Sequence, residues 1–394
     1  MKTYLQLLTC LLLLLSSCTS YTSGVKVTSD TGPGHLGQWQ FASSSVPIND
    51  TGMPFRAIEY NGWMYAVSFT ENTTVRAPIL SDGDIGQWIS DTSLLPTGSY
   101  QDLLQYNNYL YAVNFTNGDI LKTDIQSDHS LGVWQTVSTL PLSPCTQSTI
   151  LLISDKWMYE IAPLCNFNNA YTISCLSAQS SQALLKTFHC MINQDGSLGS
   201  WISDTSIPFT PWMAVSPTIT IPYGVTSIAI GNRIYLLGGG LAALFPSTSS
   251  SGSFYSSLTP LSSPSYAAIG VDGSVGDWIT DTNASLTINP VSIIGAATYN
   301  NWLYVLYGMY EFSTSTLSFF DGVQRIQINT DGSLNKWIPS MSTNLGAPFA
   351  TMAGVQFVQY NGYLYTLGGY TFTTEGYNMS LSPTGTVEYT KIYP

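Results

Sequence analysis

Charged residues are scarce in this sequence, and positive charge is the scarcest. Charged side chains make up 9% of the 394 residues, and 11 Lys and Arg face 23 Asp and Glu. A typical soluble domain is about 25% charged. Because no basic stripe is present to neutralise a phosphate backbone, we expect no nucleic-acid partner. A surface left rich in Ser, Thr, Asn and Tyr suits an exported protein.

The side chains of common catalytic chemistry are also scarce. The chain has 3 His, of which His35 and His129 fall in expected turns, so only His189 is left. No Gly-x-Ser-x-Gly, Walker, CxxC or HxxxH pattern occurs, and these are the usual nucleophile, phosphate and metal motifs. We therefore expect no catalytic residue, no metal and no cofactor.

Helical periodicity is missing outside the extreme N-terminus, which has the pattern of a secretion signal. Lys2 supplies a short positive region, and Leu5–Leu15 form an apolar segment that is too short to span a bilayer. An ordinary secretory signal of this kind would be cut near Ser17 or Ser20, and the protein would then be secreted.

The run Leu15-Ser16-Ser17-Cys18 resembles the bacterial lipobox, in which a signal peptidase cuts before a lipid-modified Cys. This resemblance implies a signal peptide at 1–17 and a lipid on Cys18, whose acyl chains partition into the membrane. Thr19 follows where an Asp would resemble an inner-membrane retention signal, so the outer membrane or cell surface of a bacterium is favoured. Residues 18–34 are then a lipidated flexible tether.

Four further cysteines fall within one segment, which is typical of disulfides in an exported protein: Cys145, Cys165, Cys175 and Cys190. Four cysteines allow three connectivities. Placement near one face of the expected fold favours Cys145–Cys165, and Cys175 would then pair with Cys190. The alternative is a set of unpaired buried thiols.

Two signals repeat six times in strict alternation and determine the expected fold. One is a turn, often Asp-Gly, followed by a tryptophan: Trp39, Trp88, Trp134, Trp201, Trp278 and Trp337. The other is a tight turn that leads into a strand with a tyrosine: Tyr65, Tyr111, Tyr159, Tyr235, Tyr304 and Tyr365.

One unit of this repeat predicts four antiparallel strands joined as a meander. An apolar strand meets a tight turn such as Asn361-Gly362, a second strand returns, and an Asp-Gly turn connects a third strand to a fourth that opens with Trp. Sheets that are apolar on both faces need neighbours on both sides, and radial stacking provides them. We predict an all-β, six-bladed β-propeller at 35–394, in which the N-terminal strand completes the last blade.

The repeats resemble kelch repeats, the family that includes the central domain of galactose oxidase and the sialic-acid mutarotase propeller. The resemblance rests on Ile234-Tyr235-Leu236-Leu237-Gly238-Gly239 and Leu364-Tyr365-Thr366-Leu367-Gly368-Gly369, while blades one to three lack the Gly pair. A copper site like that of galactose oxidase needs two His and a Tyr joined to a Cys, which the sequence does not offer. Since this fold hosts many activities, the resemblance implies little about function.

One face of the expected propeller carries the long loops of blades three to six, at 164–183, 238–263, 308–321 and 369–385. Loops of this length are typically functional or disordered. They hold aromatic residues among Ser, Thr and Asn, which suits stacking on sugars or a protein interface. The candidate ligand-binding tyrosines are Tyr171, Tyr255, Tyr310, Tyr370 and Tyr377. The alternative is that these rings pack beneath their own loops.

A second candidate site lies at the mouth of the central channel on the same face. Nine positions before each repeated Tyr, the innermost strands carry Arg56, Asp102, Ile150, Thr226, Gly295 and Gln356. We predict that Arg56, Asp102, Thr226 and Gln356 contribute to ligand binding, and that Arg56 and Asp102 lie on adjacent blades. The alternative is a structural ion pair between those blades.

Taken together, the patterns favour a non-catalytic binding module for a glycan or an envelope or extracellular protein. One alternative is a carbohydrate-active enzyme, such as a sugar mutarotase or epimerase, that uses the polar groups at the channel mouth. Another is a structural scaffold in an envelope assembly.

Overall fold

The fold is described here from a computed structural model of the chain. It describes residues 32–394 except for 48–54, 69–70, 99, 115–116, 142–149, 164, 168–172, 176–181, 205–206, 214–218, 246–253, 261–262, 286–291, 313–316, 341–354, 376–377 and 384. The propeller lies within one compact unit, Pro33–Pro394. The expected signal peptide and Cys18 lie outside the described residues. Among these residues, no helix has the length and apolar character that a membrane crossing requires.

Six blades of four antiparallel strands form a ring, as the repeats predicted. The innermost strands are Arg56–Tyr60, Tyr100–Tyr106, Ile150–Ser154, Ile219–Ile230, Ser292–Tyr299 and Gln356–Tyr360. The second strands are Trp63–Val67, Tyr109–Asn114, Trp157–Pro163, Arg233–Phe245, Trp302–Phe312 and Tyr363–Leu367. The third strands are Thr74–Pro78, Asp119–Asp124, Gln182–Met191, Ser265–Ala268, Leu317–Ile328 and Val387–Lys391. The outermost strands are Ile89–Ser90, Gln135–Thr139, Ile202–Ser203, Ile279–Thr280, Leu334–Ser340 and Gln40–Phe41.

The N-terminal strand closes the ring by completing the sixth blade. Gln40 pairs with Tyr389 and Phe41 pairs with Glu388, in the antiparallel sense. This pairing joins the two ends of the propeller chain in a single sheet, and it confirms the predicted closure.

Hydrophobic side chains pack between each pair of neighbouring blades. Six core clusters are found, one in each of the six seams, and each contains one of the repeated tryptophans. In the seam between blades four and five, for example, Trp337 is 5% exposed and packs with Tyr235 and Leu303. The repeated Trp is therefore required because each blade needs a large apolar group to fill the seam with its neighbour.

The repeated tyrosine is a hydrogen-bond donor between blades. In five seams its hydroxyl donates to a backbone carbonyl in the turn of the next blade: Tyr65 to His129 at 3.0 Å, Tyr111 to Gly196 at 2.8 Å, Tyr235 to Gly332 at 2.7 Å, Tyr304 to Gly34 at 2.8 Å and Tyr365 to Gly83 at 2.9 Å. In the remaining seam the buried hydroxyl of Tyr159 has no hydrogen-bond partner in the described part of the chain. One side chain thus explains why the Tyr and the Asp-Gly turn recur together.

A layer of cation–aromatic contacts lies beside these hydrogen bonds. A cation of the third strand lies over the aromatic ring that opens the second strand in blades one, two and five: Arg76 over Trp63, Lys122 over Tyr109 and Arg325 over Trp302. Blade four exchanges the two partners, because Arg233 opens its second strand and lies over Tyr266. Such contacts stabilise by about 0.5–2 kcal/mol each.

The turn of the next blade also packs against the aromatic ring that opens the second strand. In the seam between blades six and one, a Cβ on Gly83 would come within 2.5 Å of the Tyr363 ring, so a side chain there would clash with that ring. Blade two has His129 at this position, with a positive φ of 67°. Its ring stacks on Trp63 at 4.7 Å between centroids. The expected turn position of His129 is thereby confirmed.

Several segments expected to be loops are partly strands. The second strands of blades four and five and the third strand of blade five extend into them, and Phe254–Pro260 pairs with the second strand of blade four. Two separate hairpins also occur there, Cys165–Phe167 with Ile173–Cys175 and Tyr370–Glu375 with Asn378–Pro383. Their β-branched and aromatic residues favour extended backbone, which the argument from loop length neglected.

Candidate functional site

The six positions predicted for the channel mouth lie in one layer of the ring. Each occupies the same place in its blade, opposite an apolar residue of the second strand: Val67, Val113, Ile161, Leu237, Leu306 and Leu367. Because every innermost strand runs in the same direction, these six positions face one end of the channel. That end is called the long-loop face below, and the opposite end, where the innermost strands turn back, is called the turn face.

Arg56 and Asp102 lie on adjacent innermost strands of this layer, and each is half-buried. Burial raises the pKa of the Asp102 carboxyl, and the positive charge of Arg56 lowers it in part. The positive charge of Arg56 therefore acts on the Asp102 carboxyl across the seam between blades one and two. A carboxyl with a raised pKa beside a cation can accept or donate a proton and can bind hydroxyl groups.

The other predicted members of the layer make different contacts with their neighbours. The Thr226 hydroxyl donates to the backbone carbonyl of Ile293 at 2.8 Å, so it joins blade four to blade five. Gln356 is half-buried opposite Leu367. Gly295 is closely packed, since a Cβ there would lie 2.5 Å from the Cβ of Phe357. Of the four polar candidates, Thr226 thus has a structural role as well.

The predicted loop tyrosines remain untested. Tyr171 and Tyr377 lie outside the described residues. Tyr255, Tyr310 and Tyr370 belong to strands whose backbone alone is described. Their role in binding therefore stays a prediction.

The cysteines differ in part from the expected pairing. Cys190 has a free thiol that is fully buried in the seam between blades two and three, and it lies opposite Met158 in the blade sheet. The expected Cys175–Cys190 disulfide is therefore absent from this structure, because Cys190 faces the core while Cys175 belongs to a separate hairpin. Within that hairpin Cys165 and Cys175 are direct cross-strand partners. Cys145 lies outside the described residues.

Two further pairs of ionisable side chains connect neighbouring blades. Arg76 forms an ion pair with Asp91, which also accepts a hydrogen bond from the backbone N–H of Leu131 in the next blade. His189 and Asp204 take the equivalent places in blade three, with Nδ1 and Oδ2 3.1 Å apart.

Asp204 in turn accepts from the N–H of Val275 in blade four, as Asp91 does from its own neighbour. The only histidine left open by the sequence is thus a structural group between blades. Sequence reasoning missed this role, although the repeated Trp-Ile-Ser-Asp of blades one and three, at 88–91 and 201–204, was a usable signal.

Metal binding has no support within the described residues. They contain no cluster of three or more His, Cys, Asp or Glu side chains that could hold a metal ion. Two carboxylates that the sequence did not single out, Glu160 and Glu388, are fully buried within the blade sheets. Glu160 pairs with Leu151 in blade three, and Glu388 pairs with Thr366 in blade six.

Comparison with known proteins identifies the fold and nothing finer. No protein-family description matches the chain, and no curated protein is significantly similar to it. A chain in the cryo-EM structure of RAG in complex with one melted and one unmelted RSS is 10% identical, with a TM-score of 0.50 over 91% of this chain and 100% of that one.

Two further structures are less similar in shape. The PQQ domain of pyranose dehydrogenase from Coprinopsis cinerea is 13% identical, with a TM-score of 0.44 over 90% of this chain and 97% of that one. A member of the DUF4221 family from Bacteroides vulgatus is 10% identical, with a TM-score of 0.45 over 91% and 98%. Likeness at such identities concerns the fold alone.

Proposed function

We propose that this protein is an exported, non-catalytic binding module that holds a glycan or protein at its long-loop face. The observation that carries the proposal is the position of Arg56 and Asp102. The positive charge of Arg56 acts on the Asp102 carboxyl from the adjacent innermost strand, whereas Arg76, Arg233 and Arg325 each lie over an aromatic ring of their own blade. A cation beside a carboxyl offers both donors and acceptors, which sugar hydroxyls require.

The same hypothesis includes a lipid anchor on Cys18 and a relationship to kelch proteins. A lipid on Cys18 would hold the propeller at a bacterial outer membrane or cell surface, with a secreted protein as the alternative. Labelling with a palmitate analogue during expression in a bacterial host tests this point, because Cys18→Ala should abolish the label. The kelch assignment is supported by the Gly pairs of blades four and six.

A second candidate function is a carbohydrate-active enzyme of the mutarotase or epimerase kind. The raised pKa of Asp102 favours it, since a carboxyl that holds its proton more tightly is a better general acid near neutral pH. An envelope scaffold is the third possibility, and a co-purifying protein partner would support it.

The experiment that tests the proposal is a broad glycan array with the protein from Gly24 onward. We expect saturable binding to one sugar class, and we expect Arg56→Ala and Asp102→Asn to lower the affinity at least tenfold. Lys336→Ala is the matched control, because Lys336 is an exposed cation remote from the channel mouth. A blank array rules out glycan binding and directs the search to protein partners.

Turnover separates the enzyme from the binding module. Anomer exchange of the bound sugar, followed by NMR, should proceed at the uncatalysed rate if the protein only binds. Acceleration that disappears in Asp102→Asn would instead support the enzyme.

A further inference from the structure

The seam between blades five and six differs from the other five on the turn face. Elsewhere a continuous turn joins the third strand of a blade to its outermost strand. Here the two strands come from opposite ends of the chain, so residues 33–34 and 392–394 form two separate walls. Between these walls and the hairpin of blade five lies a pocket of about 200 Å³. The residues that matter for its chemistry are Gly34, Tyr299, Asn300, Asn301, Trp302 and Tyr393.

The aromatic walls of this pocket are held in place. Trp302 has Arg325 over its ring at 5.2 Å from the centroid, and Gly34 lies against the same ring. Tyr393 stacks on His35, with the rings 4.7 Å apart and 9° from parallel. Tyr393 nevertheless remains 41% exposed. Rigid aromatic groups bind a ligand at a low cost in conformational entropy.

Two amide side chains supply the polar groups. Asn300 and Asn301 are exposed, and neither amide has a hydrogen-bond partner among the described residues. Asn300 has a φ of 53°, so the tight turn itself explains an Asn there.

Asn301 needs a different explanation. Blades one and six have Gly62 and Gly362 at this second turn position, with φ of 78° and 80°, whereas Asn301 has no positive φ. The turn geometry of blade five therefore does not demand the Asn301 side chain.

We propose that this pocket binds a single neutral sugar ring. The apolar face of a pyranose packs on aromatic walls, and amides donate to and accept from its hydroxyls. None of the residues that line the pocket carries a charged side chain, so its side chains offer hydrogen bonds and aromatic contacts rather than ion pairs. Its volume lies below the range of about 300–1,000 Å³ that holds drug-sized ligands, and it therefore suits one sugar unit. The site is independent of the proposed function, because Arg56 and Asp102 lie at the other end of the innermost strands.

The test is saturation-transfer NMR with free glucose, galactose, mannose and N-acetylglucosamine as probes. We expect signals from the ring protons of at least one sugar. Asn301→Ala and Tyr393→Ala should weaken those signals at least fivefold. Asn108→Ala is the matched control, because the Tyr106-Asn107-Asn108-Tyr109 turn of blade two has the same pattern as the Tyr299-Asn300-Asn301-Trp302 turn. It should leave the signals unchanged.

Each result decides for or against the pocket. No signal with any of the four sugars, or equal signals from wild type and Asn301→Ala, would overturn the proposal. Signals that disappear in Arg56→Ala but persist in Asn301→Ala would place the sugar at the long-loop face instead. Since Asn301 is exposed, its variant should fold even if Tyr393→Ala disturbs the closing seam.

Discussion

Removal of the hydroxyl group should lower stability at the five repeated tyrosines that donate a hydrogen bond to the next blade, but not at the sixth, Tyr159. In Tyr111→Phe, Tyr235→Phe and Tyr365→Phe the fully buried ring stays while a buried donor is lost. Each change leaves a turn carbonyl without its partner, which should lower the free energy of unfolding by about 1–2 kcal/mol. Tyr159 is equally buried, but its hydroxyl has no partner within the described residues. Tyr159→Phe should therefore be neutral or stabilising by up to about 1 kcal/mol.

These energies convert into measurable shifts of the melting temperature. An unfolding entropy of roughly 2 cal/mol/K per residue, over the propeller unit Pro33–Pro394, gives about 0.75 kcal/mol/K. A loss of about 1.5 kcal/mol thus lowers Tm by about 2 °C. Intrinsic tryptophan fluorescence during heating, together with urea titration, would measure this. The argument fails if Tyr159→Phe destabilises the protein as much as Tyr235→Phe.

Two further predictions concern ionisation and thiol reactivity. Because burial raises the pKa of Asp102, the folded protein holds this proton more tightly than the unfolded chain, and the wild type loses stability as pH rises through the folded-state pKa. The Tm of Asp102→Asn relative to wild type should therefore increase from about pH 3 to about pH 8, and a constant difference would contradict this. Burial raises the pKa of Cys190 to about 12. In the absence of reductant, a thiol reagent should therefore label Cys190 only when the protein is unfolded. The expectation is wrong if folded wild type contains a fast-reacting thiol that folded Cys190→Ala lacks.

The number of blades was predictable because the residues that define a blade also hold the seams. Trp337 fills the space between blades four and five, and the hydroxyl of Tyr235 crosses the same seam. Neither residue can be replaced freely, so both recur and can be counted. The closure was predictable for a similar reason, since the last blade has only three strands without Gln40–Phe41.

The candidate site was predictable only in its position. The alignment on the repeated Tyr placed Arg56 and Asp102 in one layer, because strand register determines which residues share a face. It did not show that Thr226 bonds to Ile293, since that contact depends on the backbone of another blade. Nor did it suggest the pocket beside Trp302, whose walls come from residues more than 300 positions apart in sequence, such as Gly34 and Tyr393.

The closing strand also has a consequence for the order in which the blades assemble during synthesis. Gln40–Phe41 emerge among the first residues of the propeller, yet their partners Glu388 and Tyr389 emerge among the last. The first-made strand must therefore wait, unpaired, while five blades form beside it. A chain held at its N-terminus during that interval would keep this strand close to the point of attachment. Premature release or a truncated C-terminus would leave an open ring with an unpaired edge, which is the species most prone to aggregation.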